Sequence, residues 1–335
     1  MTRGVAAYLL AVVALVLLAA LAFSVGRFPV SVGDLLGVFA SKLFGSVQPV
    51  PDNVETVILK VRGPRVFAAL LVGAALAAAG AAYQGMFRNP LVSPDLLGVS
   101  TGAALGAVLG IFLSGDVWTI QACAFAGGLA AVGLVYWVGS SVPRHDPLLA
   151  LVLTGIVIGT LLGSGIALLK YLADPTNQLP AMTYWLLGSL ASISPSELAG
   201  ASAFIAAGLA PLLLLRWRMN LLALPDDEAR ALGVDTGKLR AVVIVAATLM
   251  TAAAVAVSGI IGWIGLIVPH AARLLVGPDF SRLLPLAMLL GAAFLLAVDT
   301  LCRTVAASEL PPGVLTALLG TPFFLWLFAV SKRGW

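Results

Sequence analysis

Residues 62–110 read R-G-P-R-V-F-A-A-L-L-V-G-A-A-L-A-A-A-G-A-A-Y-Q-G-M-F-R-N-P-L-V-S-P-D-L-L-G-V-S-T-G-A-A-L-G-A-V-L-G. Two arginines around a proline open the stretch, an apolar run follows, and after the break at Asn89-Pro90-Leu91 glycine recurs at every fourth position from Gly98 to Gly110. In water each such glycine weakens a helix by roughly 1 kcal/mol relative to alanine. In lipid the same spacing lets helix backbones approach closely. The stretch therefore predicts tightly packed membrane helices with a polar interruption.

The composition of the whole chain also indicates a membrane protein. Of its 335 residues, 61% are hydrophobic and only 10% are charged, and the mean hydropathy is +1.07. Soluble domains carry about 25% charged residues, and a water-soluble core could not bury so much apolar surface. Cys123 and Cys302 lie in or beside apolar runs, which indicates packing rather than a disulfide or a metal site. We predict one all-α membrane domain over residues 1–335, with no metal and no cofactor.

Nine apolar segments reach the roughly 20 residues that a membrane helix needs. A tenth segment, 258–270, is interrupted by glycines and a proline, so we expect a short or broken helix that lines a cavity or is buried in protein. The first segment is longer than the apolar region of a signal peptide, which favours a retained helix. About ten transmembrane helices are predicted, the nine clear ones at 5–25, 66–87, 96–114, 117–139, 147–169, 198–215, 241–258, 283–301 and 313–330.

The distribution of basic residues predicts the orientation in the membrane. With the N-terminus inside, 12 of the 19 lysines and arginines fall on the inner side, as the positive-inside rule requires. Ten segments place both termini in the cytoplasm. The net charge of +4 is explained by this bias, and no nucleic-acid surface is predicted.

Two connections outside the membrane have recognisable patterns. Residues 26–61 form an outer connection with a weakly amphipathic stretch at 32–43 that is suited to lie along the membrane surface. On the inner side, residues 220–235 predict a short helix, which Pro225 and the following acidic residues begin and Gly233 ends. This helix either rests on its own protein or docks a cytoplasmic partner.

No catalytic constellation is present in the sequence. His145 and His270 lack the spacing of a zinc-peptidase motif. The stretch 233–239, G-V-D-T-G-K-L, has three residues between its glycines where a phosphate-binding loop has four, and leucine where the magnesium-binding Ser or Thr belongs. We therefore predict that the chain is not an enzyme and that another polypeptide supplies any energy from ATP.

Polar and small residues at membrane boundaries are the remaining candidates for function. Arg62 and Arg65 flank Pro64 and suit either lipid-headgroup anchoring or contact with a partner. Asp299 and Arg303 are four residues apart, a spacing that predicts an ion pair on one helix face. A second glycine series, which predicts close helix packing or the wall of a conduit, consists of Gly155, Gly159 and Gly163.

These motifs, taken in order, resemble the FecCD-type permeases, which are the membrane subunits of type II ABC importers for iron-siderophore complexes, haem and cobalamin. The resemblance extends from about Arg62 to Phe328. It rests on R-G-P-R at 62–65, Gln84, N-P-L-V-S-P-D-L-L-G-V-S-T-G-A at 89–103, W-L-L-G-S at 185–189, G-I-I-G-W-I-G-L-I-V-P-H at 259–270, Arg273, Asp299, Arg303, E-L-P-P-G-V at 309–314 and G-T-P-F-F at 320–324.

The resemblance implies a ten-helix permease of the bacterial inner membrane that forms a homodimer with its conduit on the two-fold axis. Two cytoplasmic ATPase subunits would bind residues 220–235, and a periplasmic or lipid-anchored substrate-binding protein would dock on the outer face. It assigns binding-protein docking to Arg62, Arg65 and Arg303, and ATPase coupling to Asp227, Glu228, Arg230, Leu232 and Gly233.

The resemblance also assigns the inner gate to Asn89, Pro90 and Leu91. Small hydroxyl residues before the fifth span form a second part of the gate in the cobalamin permease, whereas this chain has Pro147, Leu148 and Leu149 there. We therefore take Leu148 as the corresponding gate residue.

Two alternatives to an importer of iron chelates or cobalamin stay open, one within the same family and one from a different class of transporter. Related permeases carry molybdate or tungstate. A conduit lined by small residues does not indicate which substrate passes through it. A proton- or sodium-coupled secondary transporter would need titratable groups near the middle of the membrane. No carboxylate is centred in any predicted span, which argues against that mechanism.

Overall fold

The described part of the chain is built from helices alone. The computed structural model describes residues 3–26, 28, 30–45, 51–141 and 147–330, and no strand occurs in these ranges. The helices are α1 (Arg3–Ser24), α2 (Val32–Phe44), α3 (Asp52–Thr56), α4 (Gly63–Phe87), α5 (Val99–Phe112), α6 (Val117–Ser141), α7 (Pro147–Leu172), α8 (Gln178–Leu187), α9 (Pro195–Leu214), α10 (Arg216–Met219), α11 (Asp226–Ala231), α12 (Thr236–Ser258), α13 (Ile264–Val276), α14 (Phe280–Thr304) and α15 (Pro312–Val330).

The predicted membrane spans are confirmed as helices. Seven of the described helices are long and apolar enough to cross a bilayer, and α5, α13 and α15 add shorter apolar segments. The tenth segment is broken as predicted, because residues 259–263 are not helical and α13 begins at Ile264. The sequence did not predict α8, nor α3 with the π-helical turn Val57–Arg62 that joins it to α4.

The amphipathic stretch of the outer connection is confirmed as α2. Ser31 caps its N-terminus in a capping box, in which the Asp34 amide donates to the Ser31 hydroxyl at 3.0 Å. Its apolar face packs against the α3 region through a small cluster formed by Leu35, Val38, Val54 and Ile58. The connection therefore has its own core beside the helix bundle.

Helix α4 lies at the centre of the bundle, against α12, α13 and α14. In the most apolar stretch of α4, 78% of the residues are buried, whereas in that of α7 only 22% are buried. Glycines allow this contact, because a methyl group at Gly80 would overlap the Gly265 carbonyl of α13, and one at Gly73 would overlap the Gly291 carbonyl of α14. In a membrane, where lipid is as apolar as the core, such backbone contact holds helices together.

The first glycine series also packs closely, with one exception. A side chain at Gly102 or Gly106 would collide with the α6 backbone at Gly127 or Cys123. Gly98 instead has φ +79 at the start of α5 with open space around it, where its freedom to adopt positive φ matters.

The chain between α4 and α5, residues 88–98, turns back into the bundle, and we refer to it as the re-entrant segment. A Cβ at Gly155 of α7 would overlap the carbonyl of Leu96, and Asp95 lines a cavity with Leu76, which lies midway along α4. Helix α5 has only 14 residues, about 21 Å at 1.5 Å per residue, because this segment has already covered part of the depth. The predicted span 96–114 is therefore shorter in the structure.

The bundle has two chemically different ends. We call the end that carries residues 220–235 the coupling end. There Asn220 donates to Asp279 at 2.8 Å, and the Tyr8 hydroxyl near the start of α1 donates to the Arg282 carbonyl. At the opposite end, called the arginine end, Arg303 donates to the Ala22 carbonyl near the end of α1 at 3.2 Å. The predicted orientation places the coupling end in the cytoplasm.

We predict that Gly80→Ala destabilises the purified permease by roughly 1–3 kcal/mol, because the added methyl group overpacks the crossing of α4 and α13. Gly133→Ala in α6 is the matched control, since a Cβ there meets nothing within 4 Å. Thermal unfolding in detergent checks both variants, and equal midpoints would show that the Gly80 crossing does not limit stability.

Candidate functional site

The arginine end contains a buried ion cluster. Arg65 faces Asp299, with Nε and Nη2 each 2.9 Å from Oδ1, and its Nη1 lies 2.9 Å from Glu309 Oε2. The predicted pair on α14 is also present, with Arg303 Nε 3.2 Å from Asp299 Oδ2. Asp299 is fully buried, so two guanidinium groups compensate one carboxylate away from water. This cluster joins α4, α14 and the loop before α15.

The third arginine of this end has a different role. Arg62 donates hydrogen bonds to the backbone carbonyls of Phe23 and Phe28, which ties the start of α4 to the end of α1. Its side chain is buried, at 5% exposure.

The burial of Arg62, Arg65 and Arg303 changes how their predicted docking role must be understood. All three guanidinium groups have partners within the chain, and none exceeds 9% exposure. Lipid-headgroup anchoring does not fit this burial, and docking through freely exposed arginines does not fit it either. The sequence could not reveal the cause, because Arg65 and Asp299 are 234 positions apart. Docking of a binding protein at this end stays a prediction.

At the coupling end, residues 220–235 form the coupling segment, which includes α11. Asp226 fixes it to α12, because Arg240 donates to both carboxylate oxygens at 2.9 and 2.7 Å. This hydrogen bonding lowers the pKa of Asp226. The residues predicted to contact an ATPase are all exposed, with Leu232 at 62%. They are Asp227, Glu228, Arg230, Leu232 and Gly233.

The coupling segment has both a buried and an exposed apolar residue. Ala229 is fully buried, which rests α11 on its own protein. Leu232, which the resemblance assigns to ATPase coupling, faces outward. Docking of a cytoplasmic partner through Leu232 stays a prediction.

Arg88 connects the coupling segment to α4. It ends α4 with φ 51, a left-handed conformation that is uncommon for a residue other than glycine. Its Nε donates to the Leu222 carbonyl at 2.7 Å, Nη2 donates to the Leu224 carbonyl, and Nη2 lies 3.6 Å from Asp226. The sequence did not predict these contacts of Arg88, because backbone carbonyl partners leave no signature in a sequence.

The predicted gate residues begin directly after Arg88. Asn89 accepts a hydrogen bond from the Leu91 amide at 2.9 Å, which forms a tight turn at Pro90. Leu91 is 48% exposed. Leu148 lies in the first turn of α7 and is half-buried. Residues 142–146, which include His145, lie outside the described residues, and the gate assignment stays a prediction.

The second glycine series divides into two environments. A side chain at Gly155 would collide with the carbonyl of Leu96 in the re-entrant segment, whereas Gly159 and Gly163 have nothing within 4 Å. Close packing of Gly159 and Gly163 against another helix stays a prediction, since among the described residues only Gly155 of this series has a close neighbour, the re-entrant segment. The reason is that α7 lies at the periphery, with much of its surface exposed.

An all-helical bundle of apolar spans over the described residues is the fold of a multi-pass membrane protein. The chain belongs to the FecCD transport family, whose model matches residues 12–330. It is thus the permease subunit of an ABC importer.

Relatives within this family differ in their named substrates. The molybdate import permease MolB of Haemophilus influenzae is 39% identical over 323 residues, which is 96% of this chain and 94% of that protein. The cobalamin import permease BtuC of Halobacterium salinarum is 42% identical over 279 residues, 83% of this chain and 74% of that protein. A solved ABC transporter described as of the metal-chelate type, in an inward-facing conformation, matches with a TM-score of 0.86 and 36% identity, covering 95% of this chain and 97% of its own.

We predict that Asp299→Asn destabilises the permease by about 3–5 kcal/mol, because it leaves two buried guanidinium groups without their carboxylate. Glu309→Gln is the matched control. Its carboxylate is 39% exposed, so its loss costs at most about 1 kcal/mol. Denaturant or thermal unfolding in detergent separates the two variants. Equal losses would mean that Asp299 is not the centre of the cluster.

Proposed function

We propose that this chain forms the membrane conduit of an importer that carries an iron chelate, haem or cobalamin into the cytoplasm. It acts as a homodimer, with two ATPase subunits at the coupling end and a substrate-binding protein at the arginine end. The observation that carries this proposal is the coupling segment, whose exposed residues are held by Arg88 to the helix end from which the predicted gate begins. The chain itself hydrolyses no ATP.

The contacts of Arg88 provide a direct mechanical route from the ATPase to the gate. When the ATPase subunits move α11, the carbonyls of Leu222 and Leu224 displace Arg88. The displacement reaches Asn89 and Leu91 without an intervening flexible residue, because they follow in the next three positions. Hydrogen bonds to a charged group, worth roughly 1.5–3 kcal/mol each, can transmit such a movement.

A second copy of the chain would complete the conduit along α7. Gly159 and Gly163 leave space on a face of α7 that also exposes Ile156 at 52%. Glycine on an exposed helix face allows close approach of a facing helix. The open glycines support the homodimer, in which this face meets the second copy or lines the path between the two.

Docking of a binding protein at the arginine end requires an exchange of partners. Arg65 is the best placed of the three arginines, because Glu309, one of its two carboxylate partners, is 39% exposed. An acidic residue of the binding protein could replace Glu309 while Asp299 keeps its contact. Arginine suits this exchange because its planar fork can pair with two carboxylates at once.

Molybdate or a related oxyanion is the second candidate substrate. The observation in its favour is the match to the molybdate permease of Haemophilus influenzae, which extends over 96% of this chain and 94% of that protein.

The substrate is tested by transport into vesicles that contain the assembled complex of permease, ATPase and binding protein. We expect ATP-dependent uptake of a radiolabelled iron chelate, haem or cobalamin, and little uptake of labelled molybdate. Uptake of molybdate alone would replace the first candidate by the second. Absence of ATP-dependent uptake of every compound would contradict an importer function.

We predict that Leu232→Asp lowers transport and weakens retention of the ATPase, because a charge replaces the apolar side chain at the centre of the docking surface. Leu232→Met is the matched control, since it keeps the apolar contact. Copurification of the ATPase and uptake by the assembled complex are measured for both. If the Asp variant retains its ATPase and transports as the wild type does, α11 is not the docking element.

A further inference from the structure

Helix α9 has an exposed apolar stripe along one side that leads to the coupling end. In its most apolar stretch only 33% of the residues are buried, and exposed positions recur at intervals of three and four residues. This spacing places them on one helix face. They are Ala203, Ala207, Ala210, Leu214 and, just beyond the end of α9, Trp217. An apolar exposed face on a membrane helix contacts lipid tails, so the stripe leads from the hydrocarbon region to Trp217.

Trp217 lies on a short helical turn between two arginines. Helix α10 follows α9 after a single-residue bend at Leu215 and reads R-W-R-M. Met219 is buried and holds this turn on the bundle, whereas Trp217 is 70% exposed. In a helix the neighbouring positions point about 100° to either side of it. Arg216 and Arg218 therefore flank the exposed ring.

Neither of these two arginines has a counter-charge in the part of the chain that the structure describes. No carboxylate of those residues forms an ion pair with Arg216 or Arg218. Helix α10 contacts α14, but Asp279, the acid at the start of α14, is already engaged. It accepts from Asn220 at 2.8 Å and lies 3.6 Å from Arg282. Two positive charges beside Trp217 thus remain uncompensated within the described chain.

The position of Trp217 along the bundle matches the boundary of a bilayer. Exposed tryptophans also lie four residues before the ends of α6 and α15, Trp137 at 68% and Trp326 at 59% exposure. All three helices run toward the coupling end. Tryptophan is enriched where lipid headgroups meet hydrocarbon. The arginines of α10 therefore lie at the level of the headgroup phosphates.

We propose that α10 binds the headgroup phosphate of an anionic phospholipid, with Arg216 and Arg218 as the phosphate ligands and Trp217 beside them at the interface. The planar guanidinium group matches the geometry of a phosphate and can bind it bidentately. The stripe that ends at Leu214 provides an apolar surface for the acyl chains, which favours a lipid over a soluble phosphate. In the predicted orientation the site faces the cytoplasmic leaflet, where anionic lipids attract basic residues close to the membrane.

The site lies directly before the coupling segment. Asn220, the first residue of that segment, follows α10 and is fixed to the start of α14. Its side chain donates to Asp279 at 2.8 Å and accepts from the Phe280 amide at 2.7 Å. A lipid bound to α10 therefore holds the beginning of the coupling segment at the membrane surface. This inference depends neither on the substrate nor on which protein docks at α11.

The test measures lipid binding to the purified full-length permease after its lipids have been exchanged for a neutral detergent. Thermal unfolding is followed during titration with dioleoylphosphatidylglycerol, and native mass spectrometry counts the lipids retained per chain. We expect a saturable rise of the unfolding midpoint and retention of phosphatidylglycerol. Dioleoylphosphatidylcholine, which has the same acyl chains and no net charge, should have a much smaller effect. Glycerol 3-phosphate, which has the charge without acyl chains, should have none.

Variants assign the binding to α10. Arg216→Gln combined with Arg218→Gln should weaken the apparent affinity for phosphatidylglycerol roughly tenfold, because each basic residue near the headgroups contributes to the attraction. Arg218→Gln alone should weaken it by a smaller factor, and it gives a result even where the double variant does not assemble. Arg282→Gln is the matched control, since this arginine of the same end is 72% exposed and faces Asp279, so its loss should leave the affinity unchanged.

Four outcomes overturn the proposal. They are equal responses to phosphatidylglycerol and phosphatidylcholine, wild-type affinity in both glutamine variants of α10, an equal loss of affinity in Arg282→Gln, and the same rise of the midpoint with glycerol 3-phosphate. The first would also be the result if a second copy of the chain covered this face of α9 and α10.

Discussion

The close contact of α4 with α13 and α14 is the constraint on which the rest of the structure depends. Gly80 and Gly73 bring the helix backbones so near that no side chain fits between them. Because lipid offers no hydrophobic advantage to packing, this backbone contact must hold the bundle together. It also makes α4 a rigid element whose two ends keep a fixed separation.

Each end of α4 is attached by an arginine to a different part of the molecule. Arg65 binds Asp299 and Glu309 at the arginine end, and Arg88 binds the backbone of the coupling segment at the other. One helix thus connects the region proposed to receive a binding protein with the region proposed to receive ATPase subunits. The predicted gate residues follow directly on the second attachment, so a movement of either end would be transmitted to them.

The apolar runs predicted the nine spans, and the glycines and proline of 258–270 predicted the broken helix, because these features depend on local sequence. The exposed face of α11 was also predictable from its charged residues and caps. Contacts between residues that are distant in the sequence were not predictable. Glu309 as a partner of Arg65, the carbonyl contacts of Arg88 and the depth of Asp95 arise from tertiary packing. For the same reason the sequence could not separate Gly155, which is covered, from Gly159, which is open.

The most direct test of the central claim is the amount of substrate transported per ATP hydrolysed by the assembled complex carrying Arg88→Gln. Glutamine keeps a polar side chain but loses the charge-assisted contacts to the coupling segment, so the account predicts that this ratio falls roughly tenfold while the ATPase remains bound and active. Arg282→Gln, at an arginine of the same end that is 72% exposed, should leave the ratio unchanged. An unchanged ratio in Arg88→Gln would contradict the claim that α4 carries the movement of the ATPase to the gate.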